Sequence, residues 1–314
     1  MSIMTFISTK YAPTFKKALV LALIMIFLWH FLVLKNDLHQ NITLNGVHIY
    51  KRNFTNEIKF NCVKTKTEPN FTICVHDPNV DVFISGSIIN QGANIGYYTL
   101  LAAKMGFLVV AVEPMTAMVE RLYASLEIEN LLDRVVIIQN VLSNIRSTVY
   151  MSTTPNNQGD SRVYFNLSTN MMQSTQAAKS VYLDDISHIV INMSLSKNNL
   201  DVIMKMDVQG FEHRAFAFAD KFFDQNNVKI IFMEWYVMAV KHPNYNKEIL
   251  EKFMLLPDDY ILVEKLVKFI SDRGFKAYSA EQNTIGNLLN QSEWQTWTYN
   301  VLWCHHSVDL SKFL

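Results

Sequence analysis

Polar and hydrophobic positions fall in short alternating blocks along most of the chain. An apolar run is repeatedly followed by a glycine turn or a carboxylate, then by helix-forming residues. Residues 83–89 read as a strand running into a turn bracketed by Gly92 and Gly96. Residues 97–105 predict a helix, and 107–112 a second strand of the buried type, ended by Glu113. Residues 116–129 predict a helix with Met118, Leu122 and Leu126 on one face, and 135–139 a third strand followed by Asn140. Residues 148–183 are looser, with strands at 148–151 and 180–183 around a polar loop, and a short helix starts at Asp184. A further buried strand begins at Asp201 and ends at Asp207; after the turn at Gly210 a helix is expected from Glu212 to Phe223. The strand 229–233 then delivers Glu234, and 301–303 reads as a closing strand. This alternation predicts an α/β doubly wound, mostly parallel sheet with helices on both faces. In such a sheet the ligand crevice lies outside the carboxyl ends of the strands.

That rule gathers the chain's chemistry at one edge. Glu113 stands 21 residues after Gly92, the order in which a βαβ unit brings a glycine turn, a helix start and an acidic residue together. The carboxylate can accept both hydroxyls of a ribose, so the ligand is read as a nucleoside. The spacing Gly92-x-x-x-Gly96 lacks the third glycine of a dinucleotide turn and suits a ligand without a pyrophosphate, such as S-adenosylmethionine. An ordinary βαβ turn with an exposed Glu has the same spacing. Asp207 and Glu234 project toward the same crevice, Glu212 opens the helix behind it, Asn140 is placed to meet an adenine edge, and Lys205 is spaced to pair with a neighbouring carboxylate.

Composition changes this picture little, and the N-terminus changes it more. The chain of 314 residues is 50% hydrophobic, with 28 basic and 28 acidic residues, which argues against a general nucleic-acid surface. Residues 18–34 carry no charge and follow Lys10, Lys16 and Lys17, the pattern of a membrane-spanning signal anchor with a cytoplasmic tail at 1–17. A luminal stem at 35–74, a catalytic domain at 75–305 and a tail at 306–314 complete the expected organisation. Glycosylation triplets at Asn41, Asn53, Asn70, Asn166, Asn192 and Asn290 agree with a luminal domain in the Golgi or endoplasmic reticulum. Cys62 and Cys74 can close a short disulfide loop there, leaving Cys304 unpaired; three free thiols are the alternative. No His-x-x-x-His or Cys-x-x-Cys cluster points to a metal, and the Asp-x-Asp of many Golgi glycosyltransferases does not occur.

Gly-Ala-Asn-Ile-Gly-Tyr-Tyr-Thr-Leu from Gly92, Ala-Val-Glu-Pro around Glu113, Tyr-Leu-Asp-Asp before Ile186, and Met-Lys-Met-Asp-Val-Gln-Gly-Phe-Glu ending at Glu212 together resemble the FkbM family of S-adenosylmethionine-dependent O-methyltransferases. The resemblance covers roughly residues 75–304. It implies the Rossmann-like, seven-stranded methyltransferase sheet. It also implies that Gly92, Ala93, Asn94 and Gly96 hold the methionine part of the cofactor, Glu113 its ribose, and that Asp207 and Glu212 lie beside the reacting groups. The acceptor would be a hydroxyl on a small molecule or a glycan. Two departures stand out. Asn90 replaces the family's usual Asp, and Asp81 to Ile88 runs almost directly into Gly92, where animal relatives carry a further helix and the first strand. Either 83–89 has become the first strand or a segment has been lost, which would leave a degenerate, non-catalytic luminal domain.

Overall fold

The run Val-Val-Ala-Val at 109–112 is buried at every position, as expected of a strand covered on both faces. The computed structural model describes residues 42–44, 46–51, 60–75, 89–152, 163–165, 175–194, 201–235, 238, 259–282 and 284–310. All of them belong to the second of two compact units, Met1–Asn41 and Ile42–Leu314. Its first elements are β1 (Ile42–Leu44), β2 (Val47–Ile49), β3 (Asn61–Lys64), β4 (Thr72–Val75), β5 (Ile89–Gln91), α1 (Tyr97–Lys104), β6 (Val109–Val112), α2 (Thr116–Ile128) and β7 (Val135–Ile138). Then come β8 (Val141–Leu142), β9 (Thr148–Ser152), β10 (Val163–Tyr164), β11 (Thr175–Val181), α3 (Ser187–Ser194) and β12 (Asp201–Met206). The last are α4 (Glu212–Ala215), α5 (Asp220–Gln225), β13 (Asn227–Glu234), α6 (Asp259–Asp272), β14 (Phe275–Ser279) and β15 (Asn300–His305).

The main sheet has nine strands in the order β1-β2-β7-β6-β5-β12-β13-β15-β14. This corrects the expected seven-stranded, mostly parallel Rossmann-like sheet. Four neighbouring pairs are parallel, namely β7–β6, β6–β5, β5–β12 and β12–β13. The four outer pairs are antiparallel. Residues expected in a stem supply the difference: β1 and β2 form a hairpin that lies along β7, with Tyr50 N–H donating to the Ile137 carbonyl at 2.9 Å. A four-stranded sheet, β10-β9-β11-β8, and the β3–β4 hairpin stand beside it. Among the described residues no helix is long and apolar enough to cross a membrane; the expected anchor at 18–34 lies outside them.

Alternation along the strands builds two cores. Val110, Val112, Ile138, Met204, Met206, Ile231 and Met233 face one layer with α5 and α6, while Val109, Ala111, Val135 and Ile137 face the other with α1 and α2. The expected helix from Glu212 to Phe223 is broken between Ala215 and Asp220. Phe216, Ala219 and Phe222 all turn inward across the break. Cys62 and Cys74 sit directly opposite in β3 and β4 and are joined by a disulfide; Cys304 is free and buried. Of the glycosylation triplets, Asn70, Asn192 and Asn290 are exposed, and Asn41, Asn53 and Asn166 fall outside the described residues.

Candidate functional site

Parallel β5, β6, β12 and β13 end at one edge, and each is followed there by chemistry. The turn after β5 is bonded to the end of β6 and packs against the end of β12. The N–H groups of Gly92 and Ala93 donate to the Val112 carbonyl at 3.2 and 3.3 Å. Asn94, left-handed at φ 49°, donates its backbone N–H to Glu113 Oε2 at 2.8 Å. Gly96 opens α1, its carbonyl accepting from the Leu100 N–H at 2.8 Å. Gly92 has φ +74°, and a Cβ there would lie 2.0 Å from the Asp207 carbonyl oxygen; at Gly96, φ +91°, it would lie 2.1 Å from Leu122 Cδ1. The space left by both glycines is thus taken by the protein's own atoms. That packing puts Gly92 against Asp207 and ties Gly92, Ala93, Asn94, Gly96, Glu113 and Asp207 into one neighbourhood.

Glu113 is only 5% exposed. Its Oε1 accepts the Met115 N–H at 2.9 Å and its Oε2 the Asn94 N–H. Burial pushes the carboxyl up to about 7, and the two backbone bonds pull against that rise. Each oxygen keeps room for a further hydrogen bond. One turn into α1, the buried Thr99 hydroxyl has no hydrogen-bond partner.

The tips of β12 and β13 carry a second cluster. Lys205, itself buried, places Nζ 2.5 Å from Asp207 Oδ2 and 5.7 Å from the centre of the Tyr98 ring. Gln209 reaches both carboxyls from the following turn: its Nε2 donates to Asp207 Oδ1 at 3.0 Å and to Glu234 Oε2 at 3.2 Å. Burial first, then the Asp207 charge beside it, pushes Glu234 up to about 8; a hydrogen bond from Tyr299 works the other way. Glu212 is fully buried, and its Oε1 accepts the N–H groups of Val208 and Gly210 at 2.9 and 3.3 Å. It shapes the loop behind Asp207.

Asn140 lies apart from this edge cluster in its bonding. Its Oδ1 accepts the His48 N–H at 2.6 Å, and its Nδ2 donates to the carbonyls of Gly46 and Lys179, both at 3.1 Å. The side chain is fully buried, with both donors used, so it clamps the β1–β2 hairpin and β11. Sequence reasoning missed Gln209 and Tyr299 as neighbours of the carboxylates, and Tyr98 as the ring beside Lys205. Tyr98 lies on the first turn of the predicted helix and was findable; Tyr299 comes from a distant loop and carries no local signal. Among the described residues, no group of three or more His, Cys, Asp or Glu side chains is arranged to hold a metal.

The family model described as the methyltransferase FkbM domain matches residues 90–276. No curated protein and no solved structure matches the chain.

Proposed function

This chain belongs to the FkbM methyltransferase family, and we propose that it transfers a methyl group from S-adenosylmethionine to a hydroxyl, that of a glycan in the secretory lumen. The observation that carries the reading is Glu113, a buried carboxylate at a strand tip, locked to the neighbouring glycine turn with acceptor capacity left on each oxygen. That set fits a ribose, and the partnerless Thr99 hydroxyl adds a buried polar atom beside the turn. Gly92, Ala93, Asn94 and Gly96 would hold the methionine part, and Glu113 the ribose. When bound, the cofactor supplies a methyl group on a sulfonium sulfur, which keeps the bonding pair as the methyl leaves. The protein's part is alignment of the acceptor oxygen, exclusion of water, and acceptance of the hydroxyl proton by a carboxylate at the strand tips.

A luminal site is supported by the Cys62–Cys74 disulfide, which belongs to oxidising compartments, and by the exposure of Asn70, Asn192 and Asn290. A second reading, a domain of this family that binds no cofactor, is favoured by the filled space at Gly92 and Gly96 and by the engaged Asn140 amide. Calorimetric titration with S-adenosylmethionine separates the two. The enzyme reading expects saturable binding that weakens at least about tenfold in Glu113→Ala, the worth of a hydrogen bond to a charged group. Absence of heat at millimolar cofactor would establish the non-binding domain.

A further inference from the structure

At the tips of β12 and β13 two carboxyl groups, Asp207 and Glu234, are held side by side by one amide, since Gln209 Nε2 donates to both. The cation at this cluster, Lys205, is bonded to Asp207 alone, at the oxygen that Gln209 does not use. The two carboxyls are therefore unequal. Asp207 has both oxygens engaged, one by the Lys205 ammonium and one by the Gln209 amide. Glu234 faces the Asp207 charge, the more distant charge of Glu212 and the Tyr299 hydroxyl. Lys205 in turn lies over the Tyr98 ring.

We propose that Glu234 is the catalytic base that takes the acceptor's hydroxyl proton, and that Asp207, paired with Lys205, is its positioning partner. The inference rests on the methyltransferase reading above and assigns one role within it. The proton leaves the acceptor oxygen for a Glu234 carboxylate oxygen, and the acceptor oxygen keeps the pair with which it bonds the methyl carbon. A base works best when its affinity for the proton matches the working pH. The push that burial and Asp207 give Glu234 is in that direction. An isolated surface Glu, ionised but weakly basic, would not be.

The test has an arm that needs no turnover. In protein carrying 13C at the glutamate carboxyls, the signal lost in Glu234→Gln should titrate near pH 8, and Asp207→Asn should move it down by a unit or more. A Glu234 signal titrating in the ordinary carboxyl range overturns the proposal. With tritiated S-adenosylmethionine and simple methyl glycosides as acceptors, Glu234→Gln should lower kcat roughly 100- to 10,000-fold, with cofactor affinity by calorimetry unchanged. Asp207→Asn should lower turnover less than Glu234→Gln does and shift the rising limb of the pH profile to lower pH. Full turnover in Glu234→Gln, or a dead Asp207→Asn beside it, returns the base to Asp207. Failure of the wild-type protein to bind the cofactor is a separate result, and it removes the methyltransferase reading itself.

Discussion

Glu113 is asked to be an acceptor for two backbone N–H groups and yet to lie almost out of water. Burial wins, and the carboxyl holds its proton up to about 7. The consequence for stability follows from linkage. A folded state that binds the proton more tightly than the unfolded chain loses stability as pH rises from the ordinary value of 4.5 through about 7. The full span is worth about 3 kcal/mol for a shift of this size. Urea midpoints measured at pH 5 and pH 7.5 should therefore fall with rising pH in the wild-type protein and fall less in Glu113→Gln. Equal slopes in the two proteins would show that Glu113 is ionised without penalty. Glu113 also illustrates what sequence can deliver at this scale: its place after an apolar strand fixed its position at the edge. The burial that sets its proton affinity comes from packing no local pattern encodes.

The element that seats the second cluster is α4, a single turn with little stability of its own. It is held by α6, whose first residue, Asp259, is buried and shares Oδ1 between His213 Nε2 at 2.7 Å and Arg214 Nη2 at 2.5 Å. Removing one member of a buried charged set costs about 3–5 kcal/mol. Asp259→Ala should lose that much in urea denaturation, whereas Lys268→Ala, whose ion pair with Asp272 is exposed, should change stability little. α1, α2, β6 and β7 were legible because each carries its own periodicity and its own stop, and the observed bounds differ from the expected ones by a residue or two. The break after α4 was not, because Phe216, Ala219 and Phe222 look like one apolar stripe until the layer they must fill is known. The clamp that Asn140 forms was not legible for a related reason. A polar residue after a strand suits a ligand or a clamp equally, and the hairpin it clamps, drawn from residues taken for a stem, joins the sheet from far away in sequence.

At the level of the whole molecule, the sheet grows antiparallel strands on both flanks of a parallel middle. The β3–β4 hairpin is fastened to α2, with Cys74 N–H donating to Ser125 Oγ at 2.9 Å and Thr72 N–H to Glu129 Oε1 at 2.6 Å. Its Phe71 ring packs edge-on against Tyr97 of α1, 5.2 Å between centroids. The covalent link between Cys62 and Cys74 therefore braces, through α1 and α2, the same helices that carry the glycine turn.

The bonds of the glycine turn have a kinetic consequence. The Gly92 and Ala93 N–H groups share one acceptor, the Val112 carbonyl, at 3.2 and 3.3 Å. Backbone amides deep in a sheet normally exchange with solvent only when the whole protein unfolds, but a turn can release its few bonds alone. Deuterium uptake at Gly92 should accordingly run at least about tenfold faster than at Met204 or Ile231. Saturating S-adenosylmethionine should slow it selectively, as a ligand that favours the closed turn must. The tether of the glycine turn would then be a latch that its own guest fastens.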